Sequence, residues 1–193
     1  MRWPTALLGL ILACGVLWSQ RAALAYFLSP REPISLGSEA SYSFSRLASN
    51  RYAEIHGAPS ANAAWSRKGD RVYVVLGFQN TPLLVRREAF PTEEWIPRRP
   101  PPRPDPRPFS ARGRLLARED APEYETAFQM LASDVVPKDG RLWILLDGER
   151  PGGDARTLIA SGLLTAFALL SLALLVRDVA SRILRPTSAA SSR

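Results

Sequence analysis

The chain carries one histidine, His56, and its neighbours decide what chemistry it could do. Ser60 lies four residues on, and Glu54 and Asp70 are near in sequence, so a serine–histidine–carboxylate set can be written. Such a set cleaves esters or amides when the histidine takes the hydroxyl proton and the acid orients the imidazole. No glycine-flanked nucleophile elbow accompanies it, which leaves His56 more simply read as a polar residue at a strand end. Metal chemistry fares no better. The single cysteine, Cys14, sits in an apolar N-terminal run, and one histidine without thiolates needs several carboxylates to close a zinc site. Paired acids occur at Glu93-Glu94, Glu119-Asp120 and Glu123/Glu125, but adjacent residues on a strand point to opposite faces. Glu119, Asp120 and Glu123 suit the start of a helix, where negative charge is favoured. Neither an Asp-x-Asp-x-Asp-Gly calcium loop nor a phosphate-cradling glycine loop is present. The expectation is therefore no catalytic residue, no metal ligand and no cofactor.

A different constellation stands out. Arg98, Arg99, Arg103, Arg107, Arg112, Arg114 and Arg118 face a single acid, Asp105, and seven prolines fill the twelve positions from Pro97 to Pro108. Each proline removes a donor and fixes φ, so the stretch is neither helix nor central strand but an extended, polyproline-like excursion. Arg98-x-x-Pro101-x-x-Pro104 fits the basic ligand pattern of SH3 domains, which grip preformed polyproline helices inside the cytoplasm. Three uses stay open: a solvated stiff loop, a docking element for an acidic partner or anionic headgroups, and a nucleic-acid contact. Docking names Arg98, Arg99, Arg103 and Arg107, and a stiff loop loses little entropy on binding. Nucleic acid lacks the interleaved aromatics that single-strand binders use.

The flanks say where such a loop sits. Residues 157–176 (TLIASGLLTAFALLSLALLV) run without a charge, and at ~1.5 Å per residue they span the ~30 Å core of a bilayer. Arg177, Arg182 and Arg185 follow at once, marking the cytoplasmic side and contacting lipid headgroups. Ser161, Gly162, Ala166 and Ala173 supply small residues at which a second helix could approach. At the other end, Arg2, the apolar run from Thr5 to Trp18 and Ala23-Leu24-Ala25 resemble a secretory signal cleaved before Tyr26. Retention as a short anchor and acylation of Cys14 stand beside cleavage as alternatives. All three place residues 26–156 outside the cytoplasm, in the envelope of a bacterial inner membrane, single-pass or two-pass, with residues 177–193 as a basic cytoplasmic tail.

Charge agrees once it is divided by region. The whole chain is +7, yet residues 26–156 hold 19 basic and 17 acidic groups and account for only +2 of it. The basicity is chiefly that of membrane topology, which removes the main argument for nucleic acid. With no cysteine, the outer domain has no disulfide, and its ~130 residues suffice for one core.

The elements of that domain follow from pattern. Residues 26–50 are serine-rich and fit either a strand over 40–44 or a weak helix over 36–48. Arg51–His56 predicts a short strand stopped by Gly57 and Pro59. Arg71–Phe78 (RVYVVLGF) predicts a strand covered on both faces, turned by 79–82 into a hairpin with Leu83–Arg87. Ser110–Arg118 and Arg141–Asp147 predict two more strands. Between them a helix is predicted over Ala121–Ser133, with an Asp120/Glu123 capping box and an apolar stripe of Tyr124, Ala127, Phe128 and Leu131. Pro151-Gly152-Gly153 joins the domain to the anchor. The fold class expected is α+β: a small β-rich domain, a partly open barrel or sheet with one amphipathic helix, plus a C-terminal transmembrane helix.

The strand YVVLGF, the Pro-Leu-Leu-Val strand, Trp95-Ile96-Pro97 and Gly113-Arg114-Leu115 occur in an order that loosely resembles the two-helix family assisting cytochrome oxidase assembly. That resemblance implies a periplasmic β-domain between two apolar segments. The family's Asn-Arg-Gly-Trp signature is replaced by Val85-Arg86-Arg87-Glu88, and no histidine lies near the second segment, so no functional residue is carried over. The expected role is binding or scaffolding in the envelope, with the lipid bilayer and an acidic envelope protein as partners.

Overall fold

The computed structural model describes residues 3–183, apart from 40, 94, 96–98 and 154. In chain order the elements are α1 (Trp3–Ser19), α2 (Arg21–Phe27), β1 (Ile34–Ser35), β2 (Gly37–Ser38), β3 (Ser41–Tyr42), β4 (Arg51–Gly57), β5 (Pro59–Lys68), β6 (Arg71–Phe78), β7 (Leu83–Glu88), β8 (Phe109–Ala117), α3 (Glu125–Met130), β9 (Trp143–Asp147) and α4 (Ala155–Ile183). They form two compact units, one helical, built around α1 and α4, and one from Tyr26 to Gly153.

Apolar strands with both faces covered build the second unit. Its sheet has seven strands in the order β1-β4-β8-β9-β7-β6-β5, with β1/β4 and β7/β9 parallel and the other pairs antiparallel. Leu36, Ile55, Leu76, Phe78, Val85, Leu115 and Leu145 fill the core on one face. Val75, Leu84, Leu116, Ile144 and Leu146 face the other way and are covered by Phe128, Leu131 and Val135. Val74 and Leu76 thus point into one core and Val75 into the other, the arrangement that a continuous apolar strand requires.

The sheet is open, not a barrel: its end strands, β1 and β5, do not pair with each other. Only Ala58 separates β4 from β5, so one extended segment leaves its partner β8 and joins β6 within a residue. Gly57 makes that corner passable. A Cβ there would lie 2.7 Å from both the Phe78 ring and the Tyr42 hydroxyl.

Three expectations need correction. Gly57 and Pro59 do not end the extended chain; the ten residues of β5 follow, an edge strand whose first residue is the proline an edge tolerates. The predicted helix over 121–133 is broken into a 3-10 turn at Pro122–Tyr124, the six-residue α3 and a second turn at Ala132–Asp134. Its apolar stripe holds, since Ala127, Phe128 and Leu131 are buried, but neither Asp120 nor Glu123 caps it. Asp120 instead accepts a hydrogen bond from the Ser49 hydroxyl. Residues 41–46 split between the strand of Ser41–Tyr42 and a turn at Phe44–Arg46.

In the helical unit, α4 contains a stretch, Leu158–Ala180, long and apolar enough to cross a membrane. The helix runs past the uncharged segment through Ile183, carrying exposed Arg177 along. Arg185 lies outside the described residues.

Candidate functional site

The long connection between β7 and β8 exists because β9 later occupies the place between them, so the chain must cross a strand's width before pairing again. That connection is the proline–arginine stretch. It is tethered by Arg87, at the end of β7, and Glu93, in the 3-10 turn Pro91–Glu93. Arg87 Nη1 and Nη2 each donate to a Glu93 oxygen at 2.7 Å, and both side chains are 2 % exposed. The guanidinium also lies over the rings of Phe90, at 3.8 Å, and Phe109, at 5.2 Å.

Glu93 is a hub. Oε2 accepts from Phe90 N at 2.9 Å, and Oε1 accepts from Asp105 N at 2.7 Å, which ties the far end of the loop to its beginning. Burial alone would raise the Glu93 carboxyl. The Arg87 hydrogen bonds, the two backbone donors and the Arg87 charge outweigh burial and hold the carboxyl below its ordinary value. Pro104 is buried beside this tether. Nearer the start, Arg67 Nη2 donates to Trp95 O at 3.3 Å, and Trp95 Nε1 donates to Arg99 O at 3.2 Å. The loop is therefore held at both ends by hydrogen bonds, and its prolines stiffen what lies between.

The candidate arginines differ in what remains free. Arg99 and Arg103 are exposed. Arg107 is exposed too, but it grips Asp105 through Nε and Nη2, which holds that carboxyl at about 2. Arg98 lies outside the described residues. Arg112 and Arg118 are engaged by Glu54 and Glu125, and Arg114 donates to Asn50 Oδ1 at 2.8 Å while stacking over Tyr26. Of the seven arginines, these last three are engaged by partners within the sheet-rich unit itself.

His56 and its companions form a second place of interest, with a different hydroxyl from the one its sequence neighbours suggest. Register pairs His56 with Ser110 across β4 and β8, and His56 Nδ1 lies 3.0 Å from Ser110 Oγ. Two pairs along, on the same face of the strands, Glu54 faces Arg112 and accepts from it. These four residues, with Ser35 and Gly37, line a shallow cleft of about 200 Å³. Ser60 is absent from it. Its hydroxyl is buried, accepting from Gly77 N and donating to Asn62 O. Asp70 sits in the turn between β5 and β6. A hydroxyl and an imidazole in contact make the first half of a nucleophilic pair, but Glu54, the cleft's acid, is committed to Arg112. Among the described residues no group of three or more histidine, cysteine or acidic side chains converges to hold a metal ion.

No family model, curated protein or solved structure matches this chain. What stands is a membrane-associated protein with a sheet-rich domain and a helix fit to span a bilayer. The Arg87–Glu93 tether was not visible in the sequence, because nothing in the spacing of two charged residues among many signals that both are buried. The cross-strand contact of His56 with Ser110, 54 residues apart, needed the register of β4 on β8.

Proposed function

We propose that this chain is a membrane-anchored binding protein of the cell envelope, whose extracytoplasmic sheet domain docks an acidic protein partner through the proline–arginine loop. The observation that carries this is the buried Arg87–Glu93 tether, which fixes the loop's ends while Arg99 and Arg103 stay exposed. A pre-ordered loop spends little conformational entropy when a partner closes on it. Arg107 belongs to the same surface, exchanging its exposed contact with Asp105 for one with the partner, and Arg98, outside the described residues, is assigned to docking from sequence alone. Arg177, Arg182 and Arg185 contact anionic headgroups on the cytoplasmic side. The test is crosslinking in native membranes followed by recovery through a C-terminal tag. Arg99→Glu with Arg103→Glu is expected to remove at least one partner band; an unchanged pattern overturns the docking role.

A second reading, a hydrolase, is favoured by one observation, the 3.0 Å contact between His56 and Ser110 in a shared cleft. Covalent labelling of Ser110 by a serine-directed phosphonate, lost in His56→Ala, decides for it. A third, an assembly factor like the two-helix cytochrome oxidase family, draws on the apolar helices at both ends of the sheet domain.

A further inference from the structure

The N-terminal helix has a built partner within the chain. Along α1 and the turn after it the shielded positions are Gly9, Leu10, Ala13, Leu17 and Gln20; on α4 they include Ser161, Leu164, Ala168, Ser171 and Leu174. Both rows repeat every three or four residues, the period of a helix–helix seam. Two contacts fix its direction. At one end a Cβ on Gly9 would lie 3.1 Å from the Phe167 ring and 3.8 Å from Ser171 Oγ. At the other, Ser161 Oγ donates to Gln20 Oε1 at 3.0 Å. The segment from Gly9 to Gln20 therefore runs against that from Ser161 to Ser171 in the opposite sense. Small residues at the seam, with one polar pair across it, are how helices associate in lipid. Away from the seam, Leu8, Ile11, Leu12, Leu163, Leu169 and Leu170 are all more than half exposed, as lipid-facing side chains are.

The small residues proposed from sequence are only partly those used. Ser161 is 4 % exposed and lies in the seam, whereas Gly162, Ala166 and Ala173 are exposed.

The sequence around the cleavage pattern is also engaged. Ala23-Leu24-Ala25 lies inside α2, not in an extended linker, and the helix continues to Phe27. Tyr26, which cleavage would leave as the first residue, is 6 % exposed, and its hydroxyl donates to Glu149 O at 2.8 Å. Proteases take extended chain, whereas this site is helical and the residue after the cut is buried. Trp18, with the Arg21 guanidinium 4.1 Å from its ring centroid, gives the end of α1 the amphipathic pair found at a membrane surface.

We infer that residues 1–25 stay attached, and that α1 and α4 form an antiparallel hairpin in the membrane, making the protein two-pass. The hairpin puts both chain ends on one side, the side that Arg2 and the arginines after residue 176 already mark as cytoplasmic. Nothing in it depends on how the sheet domain binds, so its failure leaves the proposed function standing.

The experiment uses the full chain with a C-terminal tag, purified from native membranes. Intact mass is expected to show the chain from Met1, allowing for loss of that methionine. A chain starting at Tyr26, or at an acylated Cys14, overturns the proposal. A second measurement probes the seam in a Cys14→Ser background. Gly9→Cys with Ser171→Cys is expected to lose both free thiols on mild oxidation in the membrane, because the positions meet the reach of a disulfide. Gly9→Cys with Leu170→Cys is expected to keep them. An uncut chain in which both pairs behave alike overturns the hairpin.

Discussion

Arg87 and Glu93 meet through two hydrogen bonds of 2.7 Å, with each side chain 98 % hidden from solvent and the backbone of Asp105 bound to the same carboxylate. This pair joins the last residues of β7 to the end of the proline stretch, so the position of the exposed arginines depends on a buried contact.

Removing one member strands the other. Glu93→Gln is expected to destabilise the sheet unit by about 3–5 kcal/mol, the usual cost of leaving a buried charge without its partner. Replacing both residues with methionine is expected to cost much less. Denaturant unfolding of the detergent-solubilised full chain, followed by tryptophan fluorescence, checks the order of the two variants.

The same pair sets an acid limit. The folded Glu93 carboxyl lies below its ordinary value of 4.5, so the tether's contribution is complete above that pH and is lost as pH falls through the lowered folded value. Glu93→Gln has no such contribution to lose. The stability gap between parent and variant is therefore expected to narrow on acidification and to stay constant from neutral pH down to about 5. Unfolding curves collected from neutral pH to well below 4.5 measure it.

Gly113 is fixed by its neighbour strand. A Cβ there would lie 1.8 Å from Leu146 O, and that oxygen belongs to the backbone of β9, which cannot swing aside as a side chain can. Gly113→Ala is expected to cost at least about 3 kcal/mol, at the severe end for single substitutions. Gly69→Ser, in the open turn between β5 and β6, is expected to cost far less despite its positive φ of 63°. Comparing the two unfolding midpoints separates a steric clash from a general glycine effect.

How much of this was legible in sequence differs by element, for physical reasons. Arg71–Phe78 and Trp143–Asp147 were readable because β-branched and aromatic residues run together where both faces are covered. Pro59–Lys68 was not. Its alanines, asparagine and leading proline carry low strand propensity, and only pairing with β6 makes it a strand. The helix over 121–133 was overread, because its apolar spacing is real while the chain bends into 3-10 turns on both sides of six helical residues. Of the candidate site, the arginines and the stiffness of their loop could be read from composition. Which arginines remain free could not, since that depends on Asp105, Glu54, Glu125 and Asn50 meeting them in space.

The most direct measurement places a photo-crosslinking amino acid at Arg103 and, in a separate protein, at His56, both in native membranes. Docking through the tethered loop predicts a discrete adduct from position 103, weakened by Glu93→Gln, and none from position 56. An adduct from position 56 with none from position 103 would contradict the account and move the site of action to the cleft of His56 and Ser110.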